Sequence, residues 1–153
     1  MSAPKTIHVQ LRGLRPLMMD RYAGDNNIQL PNADKMYLNN QRQLIMPALN
    51  LYSLLAAENT KSVCRQFFGK SGKTVALGIA SYTTIEPLEI PIWDDDGPVT
   101  FTGFGEQIRF HKSVARLPKG IPNRKERPML ILPWHIDFDV LYLENRQWTL
   151  ENL

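Results

Sequence analysis

Two stretches of the chain alternate apolar and polar residues with a period of two. Ile7, Val9 and Leu11 interleave with His8, Gln10 and Arg12, and Trp134, Ile136, Phe138, Val140 and Tyr142 interleave with Asp137 and Asp139. A helix places residues three and four apart on one face, so this period fits a strand with one covered face. Both stretches therefore require a sheet and a layer to cover it. From Pro47 the spacing changes: Leu51, Tyr52, Leu54, Leu55 and Ala56 form an apolar helical face. Pro47 suits the first turn, where its missing N–H costs nothing, and Gly69 suits a C-terminal stop. A break near Asn59-Thr60 leaves Thr60 to cap a second helical piece. Val75, Leu77, Ile79, Ser81, Thr83 and Ile85 alternate again, which predicts a further core strand.

Strands mixed with helix in this order give an α+β domain, a single one over residues 1–153. At 43% hydrophobic and 22% charged residues, a chain of 153 residues can bury a core without disulfides or a structural metal. One cysteine, Cys64, excludes an intramolecular disulfide and a multi-cysteine zinc site. No apolar run approaches the roughly 18 residues of a membrane helix, and the first residues lack a signal-peptide core. The expectation is a soluble, cytoplasmic protein with no membrane partner.

The polar connection from Met18 to Gln43 is too long for a simple turn, so it is either functional or partly ordered as a hairpin. Met36-Tyr37-Leu38 and Leu44-Ile45-Met46 read as short strands around Asn39-Asn40. Pro87 and Pro91 assign the run around Ile90 to an edge strand. Val99–Phe104 and Gln107–His111 are expected to pair as a hairpin arm. The segment from Lys112 to Pro128, with three prolines and one glycine, reads as a basic loop.

Few motifs carry chemistry. Gly69-Lys-Ser-Gly-Lys-Thr74 resembles a phosphate loop, but Phe67 stands where the motif needs its first glycine. A helix before it and a strand after it would leave no helix N-terminus to face phosphates. His8, His111 and His135 lack metalloprotease spacing. Cys64 lies in a helix, where an inert thiol is the default. Asp94-Asp95-Asp96-Gly97 lacks the spacing of a calcium loop and reads as a solvated turn. Asp137 and Asp139 share a strand face, and a polar, edge-protecting face accounts for them. No metal and no cofactor is implied.

The net charge is only +3, from 18 Lys+Arg against 15 Asp+Glu, yet the cations cluster. Lys61, Arg65, Lys70 and Lys73 form one acid-free run, and Arg116, Lys119, Arg124, Lys125 and Arg127 lie in a second. Cations neutralise phosphates and release counterions, and aromatic rings among them stack on unpaired bases. Phe67 and Phe68 adjoin the first cluster, and Phe104 and Phe110 the second.

Ile7–Leu11, then Asp34-Lys-Met-Tyr37, then Leu44-Ile45-Met46-Pro47-Ala48-Leu49-Asn50-Leu51 together resemble the start of the RAMP superfamily of CRISPR-associated proteins. Gly13-Leu-Arg-Pro-Leu-Met18 and Arg127-Pro128 with Pro133-Trp134 are also similar to a group of small prophage and mobile-element proteins. Ala48-Leu-Asn-Leu-Tyr stands where the first family carries Gly-Ser-Ser-Leu-Lys. The resemblance implies a ferredoxin-like, RNA-recognition-type core with a long loop after the first strand. It implies an antiviral-defence or mobile-element protein that binds RNA or single-stranded DNA as a repeated subunit, alone or with other subunits. Arg12, Arg15 and Arg21 would then join the two basic clusters. The family's loop aspartate, which cleaves RNA in some members, has Asp20, Asp25 and Asp34 as local candidates, so a metal-dependent ribonuclease is the enzymatic alternative. An interaction or inhibitor module without nucleic-acid binding is the other, with Met18, Met19 and Tyr22 as its contact patch.

Overall fold

The computed structural model describes residues 3–25, 28–57, 62–116, 120 and 122–144. It is an α+β fold with antiparallel sheets. The strands are β1 (Lys5–Arg12), β2 (Leu17–Met18), β3 (Ile45–Pro47), β4 (Thr83–Glu86), β5 (Glu89–Trp93), β6 (Ile108–Arg116), β7 (Pro122–Leu130) and β8 (His135–Tyr142). The helices are α1 (Ala48–Ala56), α2 (Val63–Phe68) and α3 (Gly72–Tyr82). One sheet has the order β1-β8-β5-β3, with β4 also paired to β8, and the other runs β2-β7-β6. By contacts the chain divides into two compact units, each drawn from separate segments.

The first unit combines Met1–Gln10, Met46–Ile90 and Asp137–Leu153. Here β8 alternates as its sequence requires, with Phe138, Val140 and Tyr142 buried. Pro47 caps α1 from the extended region, as its fixed φ allows. Ser62 caps α2, its Oγ accepting the Arg65 N–H at 3.4 Å, while Thr60 lies outside the described residues. Gly69 ends α2 at φ +58°. A 3-10 turn over Gly69–Ser71 then leads directly into α3. The strand predicted over 75–85 is therefore mostly helix, and only Thr83–Glu86 is extended. Val75 and Ile79 satisfy both periods because they stand four apart. Packing decides between them: both are buried with Cys64 against Tyr52, Leu55 and Ala56, while Leu77 is left 66% exposed. Gly72 permits this packing, since a Cβ there would lie 2.7 Å from the Cys64 carbonyl oxygen. The Tyr52 hydroxyl accepts the Ile85 N–H at 2.7 Å and donates to the Thr83 carbonyl at 3.2 Å, tying α1 to β4.

The second unit combines Leu11–Ile45 with Pro91–Ile136. Its buried side chains include Met36, Leu44, Ile92, Val99, Phe101, Ile108, Leu130 and Ile136. The polar turn at Asn39 forms as expected, its Oδ1 accepting the Gln41 and Gln43 N–H groups, and Leu38 bridges Leu44. Three expectations fail. β5 is not an edge: Ile92 pairs Ile136 of β8 and donates its N–H to Leu44 on the other side. Nor is 112–128 a loop, since β6 and β7 form a long hairpin from Ile108↔Leu130 to Arg116↔Pro122. Val99–Phe104 forms no strand of its own: Thr100 bridges Gln43, Val99 and Phe101 exchange backbone hydrogen bonds with Ile92, Leu44 and Arg42, and its expected partner strand pairs with β7 instead. Pro122 opens β7, where a missing donor is harmless, and the Pro128 carbonyl accepts the Met19 N–H.

Candidate nucleic-acid interface

The β6–β7 arm has two faces fixed by its register. One carries Ile108, Phe110, Lys112 and Val114 opposite Leu130, Pro128, Glu126 and Arg124. At its base Ile108, Pro128 and Leu130 are buried, and exposure then increases along the strand to Phe110 at 45% and Val114 at 59%. Phe110 stacks on Phe104 with centroids 4.1 Å apart and planes at 30°. Phe104 in turn meets Phe101 edge-on at 5.1 Å, and the Arg42 guanidinium covers the Phe101 ring at 5.4 Å. This is an aromatic row rooted in the core and open to solvent at Phe110.

Beside the arm runs an open groove of about 720 Å³, whose lining includes Gln29, Asn32, Lys35, Lys112, Arg124 and Glu126. The connection after β2 supplies its second wall. Asn32 and Lys35 belong to a 3-10 turn, Asn32–Lys35, that is fastened to β7. Asn32 donates to Glu126 Oε1 at 2.6 Å, and Lys35 Nζ donates to the Glu126 carbonyl at 2.5 Å. Among the described lining residues Lys35, Lys112, Arg124 and Lys125 stand against the single carboxylate of Glu126. Lys112 stands 3.8 Å from that carboxylate with a side chain 79% exposed, so the pairing is weak. The groove therefore has a positive lining.

The opposite face holds Arg109, His111 and Ser113 against Met129, Arg127 and Lys125. Asp20 binds here, accepting from Arg127 Nε at 2.8 Å with Lys125 Nζ at 3.6 Å. Partial burial pushes its carboxyl up, but the Arg127 hydrogen bond and the charges of Arg127, Lys125 and Lys35 outweigh it and hold the carboxyl below its ordinary value. Asp20 thus acts as an ionised brace between the connection and the arm. Asp34 sits exposed in the 3-10 turn beside Arg21 and Tyr22, and the Asp25 carbonyl accepts the Ile28 N–H. Among the described residues no three His, Cys, Asp or Glu side chains converge as a metal site.

The other sequence candidates are dispersed. Arg12 ends β1, the Arg15 carbonyl accepts the Trp134 indole N–H at 2.9 Å, and the Arg21 guanidinium lies over the Tyr37 ring at 5.3 Å. Arg65, Lys70 and Lys73 belong to the helical unit. Lys61 and Lys119 lie outside the described residues, and of Arg116 only the strand position is described. Lys35 and Asn32 carry no signal in the sequence, because they stand singly in a polar connection. Their role depends on the turn that places them beside β7.

Other motifs resolve simply. The Cys64 thiol is buried, which pushes its pKa up, as befits an inert core cysteine. Asp94 Oδ1 accepts the Asp96 and Gly97 N–H groups, an ordinary turn. Asp139 and Asp137 flank His8, with His8 Nδ1 2.8 Å and Nε2 3.5 Å from their carboxylate oxygens. For Gly69–Thr74 the expected context is reversed, since a helix does follow. The phosphate-loop reading still lacks its first glycine, and the Gly72 N–H is already bonded to the Gly69 carbonyl. Comparison of the chain with protein-family models, with curated proteins and with solved structures finds no match.

Proposed function

We propose that the protein binds RNA or single-stranded DNA along the β6–β7 arm. Phosphates would be met by Lys35, Lys112 and Arg124, with Lys125 at the edge, and an unpaired base would stack on the open face of Phe110. The observation that carries this reading is the Phe101–Phe104–Phe110 row, which ends at solvent beside a groove lined by four cations. Cations alone suit any polyanion, whereas an exposed ring next to them favours a strand with unpaired bases. Arg127 serves mainly to hold Asp20.

The proposal extends to the fold and the assembly. In order, β1, the helices, β4 and β8 follow as strand, helix, strand, strand, with β4 and β1 both pairing β8. That supports the first half of a ferredoxin-like core, and with it the RAMP-like role of a repeated subunit in a ribonucleoprotein. A ribonuclease reading has less support, because Asp20 is committed to Arg127 and Lys125.

Binding of labelled single-stranded RNA and DNA across a salt series tests this. Each phosphate contact on a single strand contributes roughly 0.7 to the slope of log K against log salt. The Lys112→Ala/Arg124→Ala variant should therefore lower the slope by about 1.4 and weaken binding of all sequences alike. Phe110→Ala should weaken binding by roughly 1–3 kcal/mol while leaving the slope unchanged. A wild-type protein that fails to bind either strand at low salt refutes the reading.

A further inference from the structure

Helices α1 and α3 leave a second open groove, of about 620 Å³, within the helical unit. Its lining is two helical stripes. Leu49, Tyr52, Ser53 and Ala56 stand at i, i+3, i+4 and i+7 along α1, and Lys73, Ala76 and Leu77 at i, i+3 and i+4 along α3. Arg65 of α2 completes it. Leu49 is 72% exposed and Leu77 66%, so both walls carry an aliphatic side chain facing water. Ser53, Ala56, Ala57 and Ala76 are small, which lets another backbone approach closely.

The charge is one-sided. Arg65 and Lys73 line the groove with no carboxylate among its described lining residues, and neither forms an ion pair with a described residue. The sequence grouped these two cations with phosphate binding, but their companions here are aliphatic. Among the described lining residues Tyr52 is the only aromatic side chain, and its hydroxyl is held by Thr83 and Ile85.

We propose that this groove is a docking site for an acidic amphipathic helix of a partner protein. The partner's apolar residues, at i, i+3, i+4 and i+7 spacing, pack between Leu49 and Leu77, and its flanking glutamates or aspartates meet Arg65 and Lys73. The stripe from Leu49 to Ala56 covers two helical turns, about 10 Å at 1.5 Å per residue, so two turns of partner helix fill it. This inference does not depend on nucleic-acid binding by the arm, because the two grooves share no lining residue.

The test uses a fluorescein-labelled model helix of about four turns, with leucines on one face and glutamates on its flanks, titrated with the full chain and read by anisotropy. Its scrambled version, a version with lysine in place of glutamate, and a single-stranded RNA competitor complete the set. The acidic helix should bind and the scrambled and lysine helices should not. Arg65→Glu/Lys73→Glu should weaken binding roughly tenfold, as two partly exposed ion pairs allow, and should gain affinity for the lysine helix. Leu77→Asp, an exposed change that leaves the core intact, should abolish binding of both helices. Equal binding of acidic and scrambled helices, or no binding of either, overturns the proposal. So does failure of the charge swap in a variant whose circular dichroism matches wild type. RNA that displaces the acidic helix through Arg65 and Lys73 would return these cations to the nucleic acid and overturn it as well.

Discussion

The Trp134 indole lies directly against Gly13, and replacing Gly13 with alanine turns that contact into a measurable defect. A Cβ at position 13 would lie 2.1 Å from Trp134 Cε2 and 2.3 Å from Nε1, so the ring must retreat about 1.3 Å to reach 3.4 Å. Two bonds hold it in place: the Gly13 N–H donates to the Trp134 carbonyl at 2.9 Å, and the indole N–H donates to the Arg15 carbonyl at 2.9 Å. Forcing a methyl into a filled site costs about 1–3 kcal/mol. Losing the indole hydrogen bond adds about 1 kcal/mol. Alanine stiffens the unfolded chain, which offsets roughly 0.4–1 kcal/mol. Gly13 does not have a positive φ, so backbone strain adds nothing. The net expectation for Gly13→Ala is a loss of about 2 kcal/mol, read from urea unfolding followed by circular dichroism. In a Trp134→Leu background the same substitution should cost close to nothing, because the obstructing ring is gone. An equal loss in both backgrounds, or a loss below about 0.5 kcal/mol in the wild type, refutes the steric argument.

Two further outcomes follow from the first unit. Tyr52→Phe leaves the Ile85 N–H and the Thr83 carbonyl without their shared partner and should destabilise by about 1–3 kcal/mol in urea unfolding, with no change in nucleic-acid affinity. The His8 pKa is raised above 6.5 chiefly by its hydrogen bond to Asp139, against desolvation and with help from Asp137. Its contribution to stability is fully present below 6.5 and fades as pH rises through the raised value; His8→Asn should flatten that decline, and a histidine NMR titration locates the midpoint.

What was legible in the sequence is what local pattern alone decides. β1, β8 and α1 announce themselves by period, and the Asn39 and Asp94 turns by side chains that bond their own backbone. The 75–85 segment reads as a strand and folds mostly as a helix, because Val75 and Ile79 fit either period and only their packing on Cys64 selects between them. The arm was illegible for a different reason. Its strands carry charge on both faces, so Lys112 breaks the alternation of β6 and β7 has none, and their order comes from pairing with each other and from distant braces. One is Asp20, 107 positions from Arg127; another is Asn32, 94 positions from Glu126. The groove beside the arm was hidden by the same distances.

The two basic clusters look alike in sequence, each with cations and neighbouring phenylalanines, and differ in what the fold puts beside them. On the arm the phenylalanines join a row with one ring open to solvent next to Lys112 and Arg124. Among the helices Phe67 is also exposed, packed edge-to-face on Phe68 at 5.0 Å, but neither is among the groove's described lining residues, which are chiefly leucine and alanine with Tyr52. Charge sets attraction to an anion of any kind, but the apolar group beside it sets which anion is held, a flat base or an aliphatic side chain. On that ground we propose a polynucleotide for Lys112 and Arg124 and an acidic helix for Arg65 and Lys73. Variants at the two sites should then separate cleanly: arm substitutions change the salt slope for RNA, and groove substitutions leave it untouched.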